Sequence, residues 1–406
     1  MTDSTEINQL PHRGLGGFRK AGFWQAFIVI LVNQLPMMAI VALMPALPTL
    51  MAHFSDVENK DLLVPMILTA PGLCIALIAP FAGVLVDKYG RRNLLIVFVT
   101  IYGLGGILPY FLDGFNTVIT GRLLLGIGEA FVLVIGNTLL GDYFAPKDRA
   151  KWLMIQGFFG SIAASLLLSL SGHLSSMGWN YPFLVYGISF LITALAMIFI
   201  FEPQEKFTSD IDTISAGQAF PTKTAIFVFV VTLFFAVLYF VYTIHFSLAL
   251  DAMGIKDKVQ LGNMSAIAST AVPLGALIFK LVSKRPFWQQ MALIFFFFAI
   301  GLTGIGLSKD STTALVVGWI QQLGCGMTIP VLVAWALSLF PVQYRGRGMG
   351  FWTSAFFLGQ FLNPVFVSGI TKISGGLLPT FVTVGGICAV ICVVIIGYNS
   401  FSKKSA

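Results

Sequence analysis

The chain has 406 residues, of which 57% are hydrophobic and only 10% are charged, and its mean hydropathy is +0.89. A soluble domain carries roughly 25% charged residues, so a water-soluble core does not explain this composition. The net charge of +7 does not indicate a nucleic-acid partner, because the basic residues lie in short segments between apolar runs. The composition predicts an all-α integral membrane protein, since spanning helices satisfy their own backbone hydrogen bonds within the lipid bilayer.

Twelve apolar stretches approach the length of about 20 residues that a membrane-spanning helix needs. In chain order the predicted helices are 23–51, 62–86, 94–112, 116–140, 152–172, 182–201, 224–250, 261–283, 291–308, 313–340, 351–371 and 377–401. The longest polar stretch separates the sixth from the seventh, which divides the chain six plus six. The predicted organisation is a tail at 1–22, a six-helix bundle at 23–201, a linker at 202–223, a second six-helix bundle at 224–401 and a tail at 402–406.

The distribution of lysine and arginine predicts the orientation in the membrane. If the N-terminus lies inside the cell, 18 basic residues fall in cytoplasmic segments and 5 fall outside, with Arg122 left inside the membrane. Cytoplasmic loops carry the excess of basic residues, so we expect both termini and the linker to be cytoplasmic. The short tails favour the cytoplasmic membrane of a bacterium, and we expect a monomer.

A weak internal repeat supports duplicated halves. The run L-G-I-G at 125–128 in the fourth predicted helix matches L-G-C-G at 323–326 in the tenth, an offset of 198 residues. The segments 144–151 and 340–347 follow these runs and also resemble each other. At the offset of 198, Glu129 corresponds to Met327, so the charge is confined to the first half.

The loop after the second predicted helix has the sequence G-V-L-V-D-K-Y-G-R-R-N-L-L over residues 83–95. It resembles the signature loop G-x-L-a-D-r-x-G-r-k-x-x-l of the major facilitator superfamily. This resemblance implies the major facilitator fold, and it implies that Asp87 and Arg91 help to latch the two halves in the outward-facing state. The alternative is that these residues only fix topology and end helices. The predicted gating residues are Asp87, Lys88, Gly90, Arg91, Arg92, Asp142 and Arg149.

The fourth predicted helix contains Arg122 followed by Gly126 and Gly128, and this spacing is similar to the motif of proton-coupled drug antiporters in the same superfamily. The resemblance implies that Arg122 modulates proton release. An unpaired arginine in the bilayer costs at least ~2.5–3.5 kcal/mol, so Arg122 should face a cavity or a partner. The alternative role is a structural brace to the side chains of Asn33 and Gln34.

Glu129 is the one acidic residue that lies deep in a predicted helix. It follows Arg122 by seven residues, which places both on one helical face about 10 Å apart. Burial favours the neutral carboxylic acid, whereas a nearby cation favours the carboxylate, and together they suit a group that exchanges protons. We therefore predict that Glu129 and Arg122 couple transport to protons, with no other cofactor. The alternative is a permanently protonated glutamic acid in the core.

Two departures from the antiporter pattern leave the substrate class open. The fifth predicted helix keeps only Gly172 of the G-P-x-x-G-G element of drug antiporters, and the first has no acidic residue. The fourth helix also resembles that of spinster-like transporters. That second resemblance implies a lysolipid or sphingolipid-type substrate as an alternative.

The resemblance implies that the first, fourth, seventh and tenth helices line a central cavity, with the second, fifth, eighth and eleventh beside it. The candidate substrate-binding residues on these helices are Asn33, Gln34, Tyr239, Tyr242, His245, Gln322, Trp335, Gln360 and Asn363. For each of them packing is the alternative. His245 titrates near physiological pH, and we expect it nearer the outer surface. Few fixed charges are available, which favours an apolar or amphipathic small molecule, at most singly charged.

These observations predict a secondary active transporter that exports a small apolar or amphipathic solute by proton-coupled alternating access. An importer of a nutrient or siderophore-like solute is an alternative, and a membrane sensor that transports nothing is another. We expect no enzyme: the sequence shows no nucleophile–base pair and no catalytic residue. The four cysteines lie in apolar runs without metal-ligand spacing, so we also expect no metal site.

Overall fold

The computed structural model describes residues 21–203, 220–341 and 344–402, so most of both predicted tails and most of the predicted linker lie outside the described residues. The described chain is helical. Its elements are α1 (Phe23–Val41), α2 (Leu47–His53), α3 (Lys60–Tyr89), α4 (Arg91–Phe111), α5 (Phe115–Tyr143), α6 (Pro146–Met177), a 3₁₀ segment (Tyr181–Gly187), α7 (Ile188–Phe199), α8 (Thr222–Ala252), α9 (Lys258–Ser269), α10 (Ala271–Val282), α11 (Phe287–Leu307), α12 (Ser311–Leu339), α13 (Arg345–Ser374) and α14 (Leu377–Ser402).

Within the described ranges, 12 helical stretches are long and apolar enough to cross a membrane, as the sequence predicts. Some predicted helices are interrupted. The first divides into α1 and α2, and Pro48 lies in the first turn of α2. The eighth divides into α9 and α10, because the ring of Pro273 clashes with the helical position of the carbonyl four residues earlier, on Ser269, where α9 ends. The sixth begins as the 3₁₀ segment before α7.

The helix bounds define the internal repeat better than the sequence does. Helices α4 and α11 each have 21 residues, α5 and α12 each have 29, and in both pairs the starts and the ends are 196 residues apart. Gly128 packs against α4 and Gly324 against α11, which agrees with this offset. Glu129 is therefore matched with Cys325, and the match with Met327 is wrong. The charge still has no counterpart in the other half.

Basic residues mark one end of the helices. Arg91 and Arg92 begin α4, Arg149 lies in the first turn of α6, and Arg345 and Arg347 begin α13. An even number of spans precedes each of these starts, so they share one end, which we call the basic face. The other end is called the opposite face. We call α1–α7 the N-terminal half and α8–α14 the C-terminal half.

The two halves contact each other along α3 with α13 and along α6 with α9. These contacts are close: a Cβ on Gly72 would lie 2.9 Å from a backbone oxygen of α13, and one on Gly172 would lie 2.9 Å from the Cα of Gly262. The Ser169 hydroxyl also donates to Asn263 Oδ1 at 2.6 Å. All five residues lie in the middle of their helices or toward the opposite face.

The same helices lose this packing toward the basic face. In α3, nearly every residue from 64 to 76 is buried, whereas only Ala82 and Val86 are buried from 77 to 89. A Cβ on Gly83 of α3, Gly157 of α6, Gly346 or Gly350 of α13 would meet no atom within 4 Å. The described parts of the two halves are therefore packed together at the opposite face and separated at the basic face.

Candidate functional site

Arg122 lies fully buried at the centre of the N-terminal half, where α5 packs against α1, α3 and α4. Its Nε donates to the carbonyl oxygen of Ile67 in α3 at 2.8 Å, and its Nη2 donates to that of Ala39 in α1 at 2.5 Å. The guanidinium carbon lies 5.2 Å from the ring centroid of Tyr186, a cation–π distance. The partners are therefore backbone carbonyls and an aromatic face, and the predicted brace to Asn33 and Gln34 is wrong.

Local sequence explains why these two carbonyls accept from a side chain. In a helix, Ile67 O accepts from the N–H four residues later, but that residue is Pro71, which has no N–H. Ala39 is among the last residues of α1, whose terminal carbonyls have no partner within the helix. Arg122 therefore satisfies two oxygens that their own helices leave free, and this offsets the cost of burying its charge.

Glu129 is also buried, with 2% of its surface exposed, and its Oε2 has no hydrogen-bond partner. It lies within electrostatic range of Arg122, and Cys74 of α3 and Tyr102 of α4 lie within range of it. The prediction that Arg122 and Glu129 are neighbours on one face of α5 agrees with this arrangement. A carboxyl with an unsatisfied oxygen near a fixed cation has the chemistry to bind and release a proton.

Glycines set the distance of α5 from its neighbours. A Cβ on Gly126 would lie 2.6 Å from the Cα of Pro71 in α3, and one on Gly128 would lie 2.7 Å from the backbone nitrogen of Tyr102 in α4. Any larger residue would separate these helices. The predicted close helix contact at Gly126 and Gly128 agrees with the structure, and it keeps Arg122 within reach of its carbonyl partners.

Asn33 and Gln34 instead converge on Gln156 of α6. Asn33 Nδ2 donates to Gln156 Oε1 at 2.9 Å, and Gln34 Nε2 donates to Gln156 O at 3.3 Å. Sequence reasoning missed Gln156, although a polar residue in the fifth predicted helix was a visible signal. This polar group joins α1 to α6 in the portion of α6 that has few close neighbours.

The signature loop carries a network of ion pairs at the basic face. Arg91 Nη2 lies 2.8 Å from Asp87 Oδ1, and Arg91 Nε lies 3.1 Å from Asp142 Oδ2 at the end of α5. Arg149 donates to the carbonyl oxygens of Gly141 and Phe144, so it caps α5. The structure thus brings Asp87, Arg91 and Asp142 together inside the N-terminal half. The latch between halves stays a prediction.

Glu202 completes this network, and sequence reasoning missed it. Its two carboxylate oxygens accept from the backbone nitrogens of Arg91 and Arg92, each at 2.8 Å. The side chain of Arg92 donates back to the carbonyls of Ile200 and Met197. A carboxylate at a helix N-terminus satisfies free N–H groups and the helix dipole. Gly90, with φ of 86°, allows the turn between α3 and α4, while Lys88 Nζ lies over the ring of Tyr89.

The predicted substrate residues of the C-terminal half fall into separate groups. Tyr239 and Tyr242 of α8 lie within electrostatic range of Cys325, which contacts Gln321 and Gln322 of α12. By the repeat, Cys325 corresponds to Glu129 and Gly318 corresponds to Arg122, so the equivalent positions of this half hold no charge. The Tyr242 hydroxyl is buried and has no hydrogen-bond partner.

The remaining candidates lie elsewhere. Gln360 packs on Gly72 between the halves, and Asn363 Nδ2 donates to Val237 O at 2.7 Å. Trp335 stacks on Phe287 at 4.6 Å, so its ring faces α11. His245 lines a cavity at the opposite face, and its side chain lies close to that of Asn363.

A family model of the Major Facilitator Superfamily matches residues 26–317 and 288–404. The chain belongs to the major facilitator superfamily. The members of this family are membrane transporters and not enzymes, and the 12 apolar helical stretches of the described residues agree with a multi-pass membrane protein.

Two relatives and one solved structure are similar to this chain. It is 28% identical over 193 residues to the class B tetracycline resistance protein of Escherichia coli, and the match spans less than half of each chain, 46% of both. It is 24% identical over 305 residues to the 3-(3-hydroxy-phenyl)propionate transporter of Escherichia coli (strain K12), covering 72% of this chain and 74% of that protein. A bacterial homologue of the human lysosomal transporter Spinster, inward-facing and unoccupied, superposes with a TM-score of 0.72 at 14% identity over 92% of this chain and 97% of that one. The similarity to the Spinster homologue shows only that the two proteins share a fold.

Proposed function

We propose that this major facilitator superfamily protein exports a small apolar or amphipathic organic solute in exchange for protons, by alternating access. The buried pair of Arg122 and Glu129 carries the proposal. Glu129 is the one described acidic residue deep inside a span, and it has an unsatisfied carboxylate oxygen. The similarity to a tetracycline resistance protein supports an organic solute and export. We place the protein, as a monomer, in the cytoplasmic membrane of a bacterium.

The geometry links proton binding to helix packing. When Glu129 is ionised, its charge balances that of Arg122; when Glu129 is protonated, Arg122 has only the carbonyl dipoles of Ile67 and Ala39 and the Tyr186 ring to stabilise it. Those dipoles belong to α3 and α1, and α3 also packs against α13 of the other half. We call the contacts of α3 with α13 and of α6 with α9 the seam between the halves. Protonation of Glu129 therefore changes the electrostatic energy at the contact of α5 with α3, which is one of the helices that form the seam.

The separation of the halves at the basic face supports an inward-facing state, provided that this face is cytoplasmic as the charge distribution predicts. In this state the solute enters between α3, α6, α10 and α13 from the basic face. Asn33, Gln34 and Gln156 supply hydrogen bonds to it, and the largely apolar walls suit an amphipathic molecule.

Proteoliposomes that contain a pH-sensitive dye test the coupling. Tetracycline and 3-(3-hydroxyphenyl)propionate are the first probes, and the one that moves should also move protons. Glu129→Gln should abolish the proton signal, because the amide cannot exchange a proton. Asp56→Asn, an exposed change at the opposite face, should leave it intact. Proton movement that persists at the wild-type rate in Glu129→Gln would contradict the proposed role of Glu129.

A small aromatic acid is a second candidate solute. The match to the 3-(3-hydroxy-phenyl)propionate transporter extends over 72% of the chain, further than the match to the tetracycline resistance protein. Accumulation in whole cells separates the directions. If the protein is an exporter, an uncoupler should raise the amount of probe in expressing cells to that in non-expressing cells; for an importer, the uncoupler should lower it.

A further inference from the structure

A cavity of ≈ 380 Å³ lies at the opposite face, on the seam between the two halves. The N-terminal half contributes α2 and the start of α3, and the C-terminal half contributes α8 and α13 together with the start of α14. Neither Arg122 nor Glu129 lines it. Its volume lies within the range of roughly 300–1,000 Å³ that small-molecule sites occupy.

Opposite charges line this cavity from the two halves. Asp61 comes from the first turn of α3, and Lys372 comes from the last turn of α13. The sign of each charge is favourable for the dipole of its own helix. Neither forms an ion pair with another described residue. The cavity therefore offers one anion and one cation on different walls.

A buried polar group adds a third point of recognition. His245 lines the cavity with only 2% of its surface exposed, and its Nε2 has no hydrogen-bond partner. Leaving a buried polar atom unsatisfied costs roughly 1–3 kcal/mol, which a hydrogen bond to a bound molecule would offset. Leu62, Leu248 and Val367 line the same cavity and supply apolar contact.

We propose that this cavity binds a small zwitterionic solute with an apolar body. The carboxylate of the solute pairs with Lys372 and its ammonium group with Asp61. His245 Nε2 makes a hydrogen bond to the solute, and the apolar body lies against Leu62, Leu248 and Val367. Because the site draws on both halves, occupancy stabilises their packing at the opposite face. This site is separate from the proton-coupling pair, so it does not rest on the proposed export.

Three probes with one aromatic body and different charges test the proposal. L-Phenylalanine carries both charges, 3-phenylpropionate carries only the carboxylate, and 2-phenylethylamine carries only the ammonium group. Binding is measured by titration calorimetry on the full chain in lipid nanodiscs. Phenylalanine should bind at least about tenfold more tightly than either singly charged probe, because it alone can pair with both Lys372 and Asp61. Equal affinities for the three probes, or binding of none, would overturn the proposal.

Variants then locate the binding. Asp61→Asn and Lys372→Gln should each weaken phenylalanine binding about tenfold or more, whereas Asp56→Asn and Lys309→Gln, at exposed positions outside the cavity, should not. Lys372→Glu should bind 2-phenylethylamine more tightly than the wild type does, a gain that a misfolded variant cannot show. Wild-type affinity in both Asp61→Asn and Lys372→Gln would assign the binding to another place.

Discussion

Arg122 shows how a charge is accommodated inside this protein by backbone chemistry. Its two acceptors are free for local reasons, the missing N–H of Pro71 and the end of α1. The position of Arg122 and Glu129 on one helical face follows from their spacing and could be predicted from sequence. The partners could not, because Ile67 and Ala39 act through carbonyl oxygens, which every residue has, and only the tertiary structure selects them.

A double-mutant cycle tests this account. Arg122→Met should lower the free energy of unfolding by roughly 1–3 kcal/mol, because Ile67 O loses its donor whereas Ala39 O still accepts from the Tyr186 hydroxyl at 2.9 Å. Pro71→Ala restores an N–H that can donate to Ile67 O. The loss of unfolding free energy caused by Arg122→Met should therefore be smaller by roughly 1–3 kcal/mol in the Pro71→Ala background. The measurement is unfolding of the purified protein by a denaturing detergent. Pro330→Ala, in a helix of the other half, is the matched control and should show no coupling. A cycle with no coupling for Pro71 would show that Arg122 does not replace the missing bond.

At the scale of elements, the contact of α6 with α9 decides how the opposite face closes. From the sequence, Gly172 could be identified only as the one residue kept from an antiporter motif. The structure shows instead that it packs against α9 of the other half. Its Cα faces Gly262, and a Cβ there would meet both the carbonyl oxygen of Lys258 and the Gly262 backbone. Helix periodicity does not identify the residues that pack between the halves, because a sequence pattern does not distinguish a glycine that faces lipid from a glycine that faces another helix.

Gly172→Val should therefore force α6 and α9 apart. Spin labels at Ser176 and Lys256, both exposed near the opposite face, report the separation of the two halves by pulsed electron paramagnetic resonance in a background that lacks the four native cysteines. The variant should shift the distance distribution to longer values, and it should slow solute movement in proteoliposomes. Gly157→Val on the same helix, where a Cβ meets nothing within 4 Å, serves as control. An unchanged distribution in Gly172→Val would mean that this contact does not hold the halves together.

At the scale of the whole molecule, the number of spans and the division into two halves follow from the sequence, because long apolar runs are the strongest signal that a chain carries. The repeat register does not follow, since a four-residue match places Gly126 opposite Gly324 whereas the helix bounds pair Gly128 with Gly324. A shift of two residues turns a position by about 200° around a helix, which is enough to exchange the face of α5 that packs on α3 for the face that packs on α4. The charge asymmetry survives this shift: Cys325 replaces Met327 as the partner of Glu129, and neither carries a charge.

The orientation of the whole bundle in the membrane is predicted only from the distribution of the basic residues, and thiol labelling in intact cells tests it. Lys309→Cys lies in the short connection between α11 and α12 at the opposite face, and Arg347→Cys lies in the first turn of α13 at the basic face; both positions are exposed. The four native cysteines are buried, so background labelling should be low. A membrane-impermeant maleimide should label Lys309→Cys in intact cells and Arg347→Cys only after the cells are opened. The same order of labelling in Glu129→Gln would show that the orientation is independent of coupling. The reverse order would place the separated ends of the halves outside the cell, and the structure would then be outward-facing.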